Sequence, residues 1–155
     1  MLLSRCNPQA HKEGDPMERS QDLLDAYTRL FDDLSRGRVP SVDEYVSDSP
    51  AVSAIGSDPE EWWMGPETMR QVVAAQLEAL ASQGAQFIPA GPEAWAEGDL
   101  GWVVDRPTIR LGDGKEVELR GTTIFHREHG AWKMIHQHAS IGVPNDQVEA
   151  FRGVG

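Results

Sequence analysis

Apolar positions in the first half of the chain recur at helical spacing. Leu23, Leu24, Tyr27, Leu30, Phe31 and Leu34 fall on one side of a helix, with Asp25, Arg29, Asp32, Asp33 and Arg36 on the other. This amphipathic helix is expected to end near Gly37. Ser41 and Glu44 form a capping-box pair ahead of Tyr45 and Val46, and Pro50 closes a short second helix. Ala51 to Ile55 then reads as a strand. A third helix is predicted from Pro66 to Gly84, burying Met69, Val72, Val73, Leu77 and Leu80. After Gly84 the period changes to that of strands, separated by the turn pairs Gly98-Asp99, Asp113-Gly114 and His129-Gly130. Helices first and an antiparallel meander last is an α+β order, with the helices on one face of a curved sheet.

Residues 1–16 are polar, carry Pro8, Gly14 and Pro16 and show no apolar period, so they read as a flexible leader, with Met17 as a candidate start. A second reading also stands: Asp15, Pro16 and Glu18 have the spacing of a helix cap. The expected division is a leader over 1–16, one domain over 17–146 and a tail over 147–155.

If every turn pair is the two-residue loop of a tight hairpin, paired residues keep a constant sum of numbers and the registers follow. Trp95, Trp102, Phe125 and Met134 then form one aromatic row, with Val104, Thr123 and His136, then Arg106, Gly121 and His138, on the same face. The other face carries Ala94, Val103, Ile124 and Ile135, and next to them Asp105, Thr122 and Gln137, with Arg120 diagonal to Asp105. Both faces are partly apolar, so both require a cover. Helices can cover only one. The other is expected to meet a second copy of the chain in a homodimer. Small and β-branched residues leave room for helices and a ligand, which assigns the Asp105 face to the interior and the aromatic row to the dimer. The opposite assignment makes the aromatic row the core beneath the helices.

A chain of 155 residues with a formal charge of -11 is one domain of ordinary size whose surface does not suit nucleic acid or an anionic membrane. Cys6 is the only cysteine, so no internal disulfide forms, and no apolar stretch is long enough to span a bilayer. A cytoplasmic location is expected. No cofactor is called for, and the partner expected besides a second copy is a small apolar molecule.

The ending His126-Arg127-Glu128-His129-Gly130-Ala131-Trp132, continuing through Met134, Ile135, His136, His138, Ser140, Gly142 and Pro144, resembles the last hairpin of SnoaL-like proteins of the nuclear-transport-factor-2-like superfamily. It is also similar to the association domain of calcium/calmodulin-dependent kinases. The segment Ile55-Gly56-Ser57-Asp58-Pro59-Glu60-Glu61-Trp62-Trp63-Met64-Gly65 resembles bacterial SnoaL-like members. The resemblance covers about Glu18 to Asn145. It implies a cone-shaped fold, frequent dimers, and a pocket used by isomerases, dehydratases, cyclases, hydrolases and plain binding modules. Where the association domain carries an arginine after its second His, this chain has Ala139, so a shared anionic ligand is not implied. The buried acid of ketosteroid isomerases of this fold would fall on Thr122.

Asp105 is the foremost candidate for chemistry, because a carboxylate on an inner sheet face can serve as a base, unless Arg120 pairs with it and makes it structural. Thr122 and Gln137 join these two as the expected polar groups of the pocket. His136 and His138 have the strand spacing of a two-imidazole metal site, but the third ligand is missing and His126 falls on the other face, so no metal is expected. Trp62 and Trp63 are placed on a loop before the third helix, either closing over a ligand or filling the core and shielding the loop. The expected role is a ligand-binding or accessory protein with a mostly apolar pocket. The alternative is a small-molecule isomerase, dehydratase or hydrolase using Asp105 as acid or base, with Tyr27 and Tyr45 as the nearest candidates for a second group.

Overall fold

The computed structural model describes residues 16–38 and 41–152. In chain order the elements are β1 (Glu18–Arg19), α1 (Gln21–Ser35), α2 (Val42–Tyr45), β2 (Ser53–Ile55), β3 (Trp62–Met64), α3 (Pro66–Ser82), β4 (Gln86–Ile88), β5 (Glu93–Glu97), β6 (Leu100–Asp105), β7 (Thr108–Arg110), β8 (Glu116–Glu118), β9 (Arg120–Glu128) and β10 (Ala131–Ser140). Two 3-10 turns, Asn145–Gln147 and Glu149–Phe151, follow. The expected leader lies outside the described residues up to residue 15. The expected cap around Glu18 is not used: Glu18 and Arg19 pair with β5, and α1 starts after Ser20, whose hydroxyl accepts from the Leu23 amide at 3.3 Å.

The strands form a seven-stranded sheet in the order β1-β5-β6-β9-β10-β2-β3 and a three-stranded sheet in the order β4-β7-β8. All pairings are antiparallel except that of β10 with β2. The long hairpin running from β6 to β9 is divided between the two sheets. Pro107, which has no amide proton to give a ladder, marks where the chain leaves β6, and the Leu119 amide donates to the Pro107 carbonyl at 2.9 Å where it returns. This division bends the sheet and opens a space beneath its concave face.

Helices α1 and α3 pack on that face. Leu23, Tyr27, Phe31 and Leu34 of α1 are buried against Val103, Phe125, Trp132 and Met134 of the sheet. Leu23 is 0% exposed, and burying such a side chain stabilises the fold by about 1.5–3 kcal/mol. α3 differs. Only Met69 is buried, whereas Val72, Val73, Leu77 and Leu80, the rest of its predicted apolar face, are half-buried. An apolar face turned inward yet incompletely covered means that α3 looks onto a cavity.

Two register changes correct the expected sheet. The turn at Asp113-Gly114 is a three-residue loop, Gly112-Asp113-Gly114, closed by bonds from the Leu111 amide to the Lys115 carbonyl and from the Gly114 amide to the Leu111 carbonyl. Gly114 takes a φ of 86°, the left-handed residue such a loop requires. The extra residue shifts β9 by one against β6, so Val103 faces Thr123 and Asp105 faces Gly121. A bulge at Ile135 shifts β10 likewise, so Gln137 faces Thr123 and His138 faces Thr122. The expected aromatic row is therefore split. Trp95 and Trp102 lie on the outer face, while Phe125 and Met134 are buried inside. Asp105 and Val103 do face inward, but Ile124 and Thr122 do not.

Candidate functional site

The concave side of the sheet, α1 and α3 enclose a cavity of about 390 Å³. Its wall is largely apolar, with Phe31, Leu34, Val73, Leu77, Phe125 and Met134 contributing. Tyr27 and Phe31 meet edge to face with centroids 4.6 Å apart, and Phe31 continues to Phe87 at 5.1 Å. β4 is held to α1 by Ser35, whose hydroxyl accepts from the Phe87 amide at 2.9 Å. The aromatic wall is thereby fixed in position.

Few polar groups reach this space. They are the hydroxyls of Tyr27, Tyr45, Ser57 and Thr123, the amides of Gln76 and Gln137, and the carboxylate of Glu61. Tyr45 donates to Asp33 at 3.3 Å. Glu61 is folded back on its own loop, where its carboxylate accepts from the Asp58 amide at 3.0 Å and lies against Gly56. A Cβ at residue 56 would overlap that carboxylate, so glycine is required there by close approach.

Asp105 stands behind the cavity wall. It is 7% exposed, and both of its carboxylate oxygens are occupied: one accepts from the amides of Ala90 at 3.1 Å and Arg106 at 2.7 Å, the other from the Tyr27 hydroxyl at 3.2 Å. Burial, then the Asp105 charge and hydrogen bond, hold the Tyr27 phenol far above its ordinary pKa. Tyr27 therefore stays neutral, its hydroxyl donates a hydrogen bond to Asp105, and its oxygen keeps lone pairs free to accept at the cavity it lines.

The six residues singled out from the sequence are divided among three places. Gln137 and Trp63 line the cavity. Asp105 is buried beside it, linked through Tyr27. Arg120 and Thr122 lie on the outer face, because the one-residue shift moved them there, and no ion pair joins Arg120 to Asp105 among the described residues. Trp62 and Trp63 belong to strand β3 and not to a loop, so they alternate: Trp63 points inward opposite Ala54, and Trp62 is 66% exposed opposite Ile55. Thr123, Gln76 and Glu61 were not foreseen. Thr123 could be found only with the correct register, and Gln76 only by knowing that α3 faces a space.

His136 and His138 share the outer face, where the Ser53 hydroxyl lies 2.8 Å from His136 Nδ1. Burial, then the neighbouring His138, lowers the His136 pKa. His126 also points outward, contrary to expectation, and stands beside Glu128 at 3.6 Å. No group of three or more His, Cys, Asp or Glu side chains suited to a metal occurs among the described residues. Among them, too, no helix is long and apolar enough to cross a membrane.

A cone of helices on a curved antiparallel sheet with a cavity between them is the nuclear-transport-factor-2-like, cystatin-like class of α+β fold. Within that class the chain belongs to the SnoaL-like domain family, whose pattern matches residues 23–144. No curated protein matches the chain. Solved structures do. An NTF2-like protein of unknown function from Pseudomonas putida is 18% identical with a TM-score of 0.66, over 82% of this chain and 92% of that one. A proposed dehydratase of the NTF2-like family from Streptomyces avermitilis is 20% identical with a TM-score of 0.63, over 80% and 96%. A proposed calcium/calmodulin-dependent protein kinase II association domain from Xanthomonas campestris is 16% identical with a TM-score of 0.61, over 79% and 86%. At these identities the likeness is one of fold.

Proposed function

We propose that this protein binds a small, largely apolar molecule in the cavity between α1, α3 and the sheet. The observation that carries this reading is the apolar face of α3, which is turned inward but left half-buried over a space of about 390 Å³. Cores are packed to near crystal density, so an apolar face without packing partners is a cost that a ligand removes. The volume lies at the lower end of the roughly 300–1,000 Å³ usual for small-molecule sites. The Tyr27 oxygen and the Gln137 amide orient the guest by one or two hydrogen bonds.

The alternative, an isomerase, dehydratase or hydrolase, is favoured by one observation: the Tyr27–Asp105 pair sits at the wall of an apolar space, where a proton-handling pair would work. Against it, both Asp105 oxygens already accept from protein donors. A binding role is therefore preferred.

The test uses 2-naphthol, an apolar molecule with one hydroxyl, titrated by calorimetry into the wild type, Ala139→Phe and Asp105→Asn. Ala139 lines the cavity, and a phenyl ring there projects into the space a guest would occupy. Saturable binding is expected in the wild type and Asp105→Asn, with a loss of at least about tenfold in Ala139→Phe. Equal binding by Ala139→Phe overturns the cavity as the site.

A further inference from the structure

A second hollow lies on the opposite face of the sheet, where β6 and β9 separate. It is an open groove of about 580 Å³, and Arg106, Arg120, Thr122 and Ser140 line it together with the carboxyl residues Glu93 and Asp105. Asp105 faces Gly121, and the Pro107 carbonyl accepts from the Leu119 amide, so Arg106, just past the end of β6, lies across from Arg120 at the start of β9. Arg120 in turn faces Ser140 on β10, and Thr122 faces His138.

Two like charges opposite one another on a sheet are destabilising unless something lies between them. The nearby carboxylates do not fill that role. Asp105 is turned inward onto Tyr27 and two backbone amides, and Glu93 has Arg19 within 3.6 Å. Neither Arg106 nor Arg120 makes an ion pair among the described residues; Arg29, Arg36 and Arg152 make none either, so what marks this pair is its placement side by side. The Arg120 guanidinium lies alongside the backbone of Gly142, where no side chain covers it. In a chain of net charge -11, such a pair of uncompensated guanidiniums flanked by hydroxyls is a local reversal of sign.

We propose that this groove binds a small oxyanion, a carboxylate or phosphate group, between the guanidiniums of Arg106 and Arg120, with Thr122 and Ser140 as further hydrogen-bond donors. Planar guanidiniums give paired N–H bonds to such oxygens, and two of them relieve their mutual repulsion by sharing one anion. The groove is separate from the apolar cavity, so either proposal stands without the other.

The test is a calorimetric titration of inorganic phosphate, and separately of acetate, at matched ionic strength. It compares the wild type with Arg106→Gln, Arg120→Gln, Arg36→Gln and Arg29→Gln. Arg36 is an exposed arginine at the end of α1, so its variant controls for loss of charge alone. Arg29, exposed on α1 and not part of the groove lining, serves as a second control of the same kind. Saturable binding of at least one probe is expected in the wild type and both controls, with each groove variant weakened at least about tenfold. Should Arg120→Gln fail to fold, Arg106→Gln decides alone. No saturable binding by the wild type, equal binding by the groove variants, or loss in either control overturns the proposal.

Discussion

At the scale of single residues, the Tyr27–Asp105 contact joins helix to sheet and defines the polar end of the cavity. Asp105 was legible from its place on an inward strand. Tyr27 was one of two tyrosines named as a second group beside it, and it is the one found there; the Arg120 pairing, which depended on a register that a single loop residue changed, is not. The contact has a pH signature. The folded-state pKa of Tyr27 is raised, so its contribution is fully present below the phenol's unfolded value of 10.0 and is lost as pH rises above it. Wild-type melting temperature is expected to fall steeply above about pH 10. Tyr27→Phe should lose about 1–3 kcal/mol at pH 7, because it removes a donor from a buried carboxylate, but its alkaline decline should be shallower. Thermal unfolding from pH 7 to pH 11 checks this, and parallel curves for the two proteins would refute the role given to the pair.

At the scale of elements, periodicity located the helices well. α1 and α3 span the predicted positions because an apolar stripe at helical spacing has one way to be buried. The strands were located but not fully registered. Register depends on loop geometry, and both a two-residue turn and a three-residue loop with glycine in the left-handed position fit Gly112-Asp113-Gly114; the bulge at Ile135 leaves no mark in the apolar pattern. One element contact also carries a prediction. Asp22, in the first turn of α1, accepts from Ser20 at 2.6 Å, from Arg127 at 2.6 Å and from Trp132 at 3.0 Å, tying the helix start to the β9–β10 hairpin. The Ser20 hydrogen bond first, then those from Arg127 and Trp132, lower its pKa from 3.8 to about 2. A lowered carboxylate pKa stabilises above the unfolded value and ceases to do so as pH falls through the folded one. Melting temperature is expected to drop between pH 3.8 and about 2 more steeply in the wild type than in Asp22→Asn. Equal slopes would show that the tether contributes nothing.

At the scale of the whole molecule, all three helices and the core lie on one side of the seven-stranded sheet, leaving Trp95, Trp102, Val104 and Ile124 on the other. Trp62 and Met64 extend this exposed apolar surface at 66% and 58% exposure. Self-association through this face remains a proposal, now with Ile124 and Val104 in place of the buried Phe125 and Met134. An interface of on the order of 1,600 Å² would suit it. Sedimentation velocity is expected to give a dimer for the wild type and a folded monomer for Trp102→Glu, which sets an unpaired charge in the contact. A wild-type monomer would contradict this.

The cavity is the feature on which the account of function rests, and it is tested most directly by locating a guest inside it. Apolar cavities take up small apolar molecules that water cannot displace. A crystal of the protein equilibrated with bromobenzene, measured at the bromine absorption edge, is expected to show an anomalous peak between Val73, Leu77 and Phe125, in contact with the half-buried face of α3. A cavity filled with ordered water, with bromine only on the outer face near Trp102, would contradict the account.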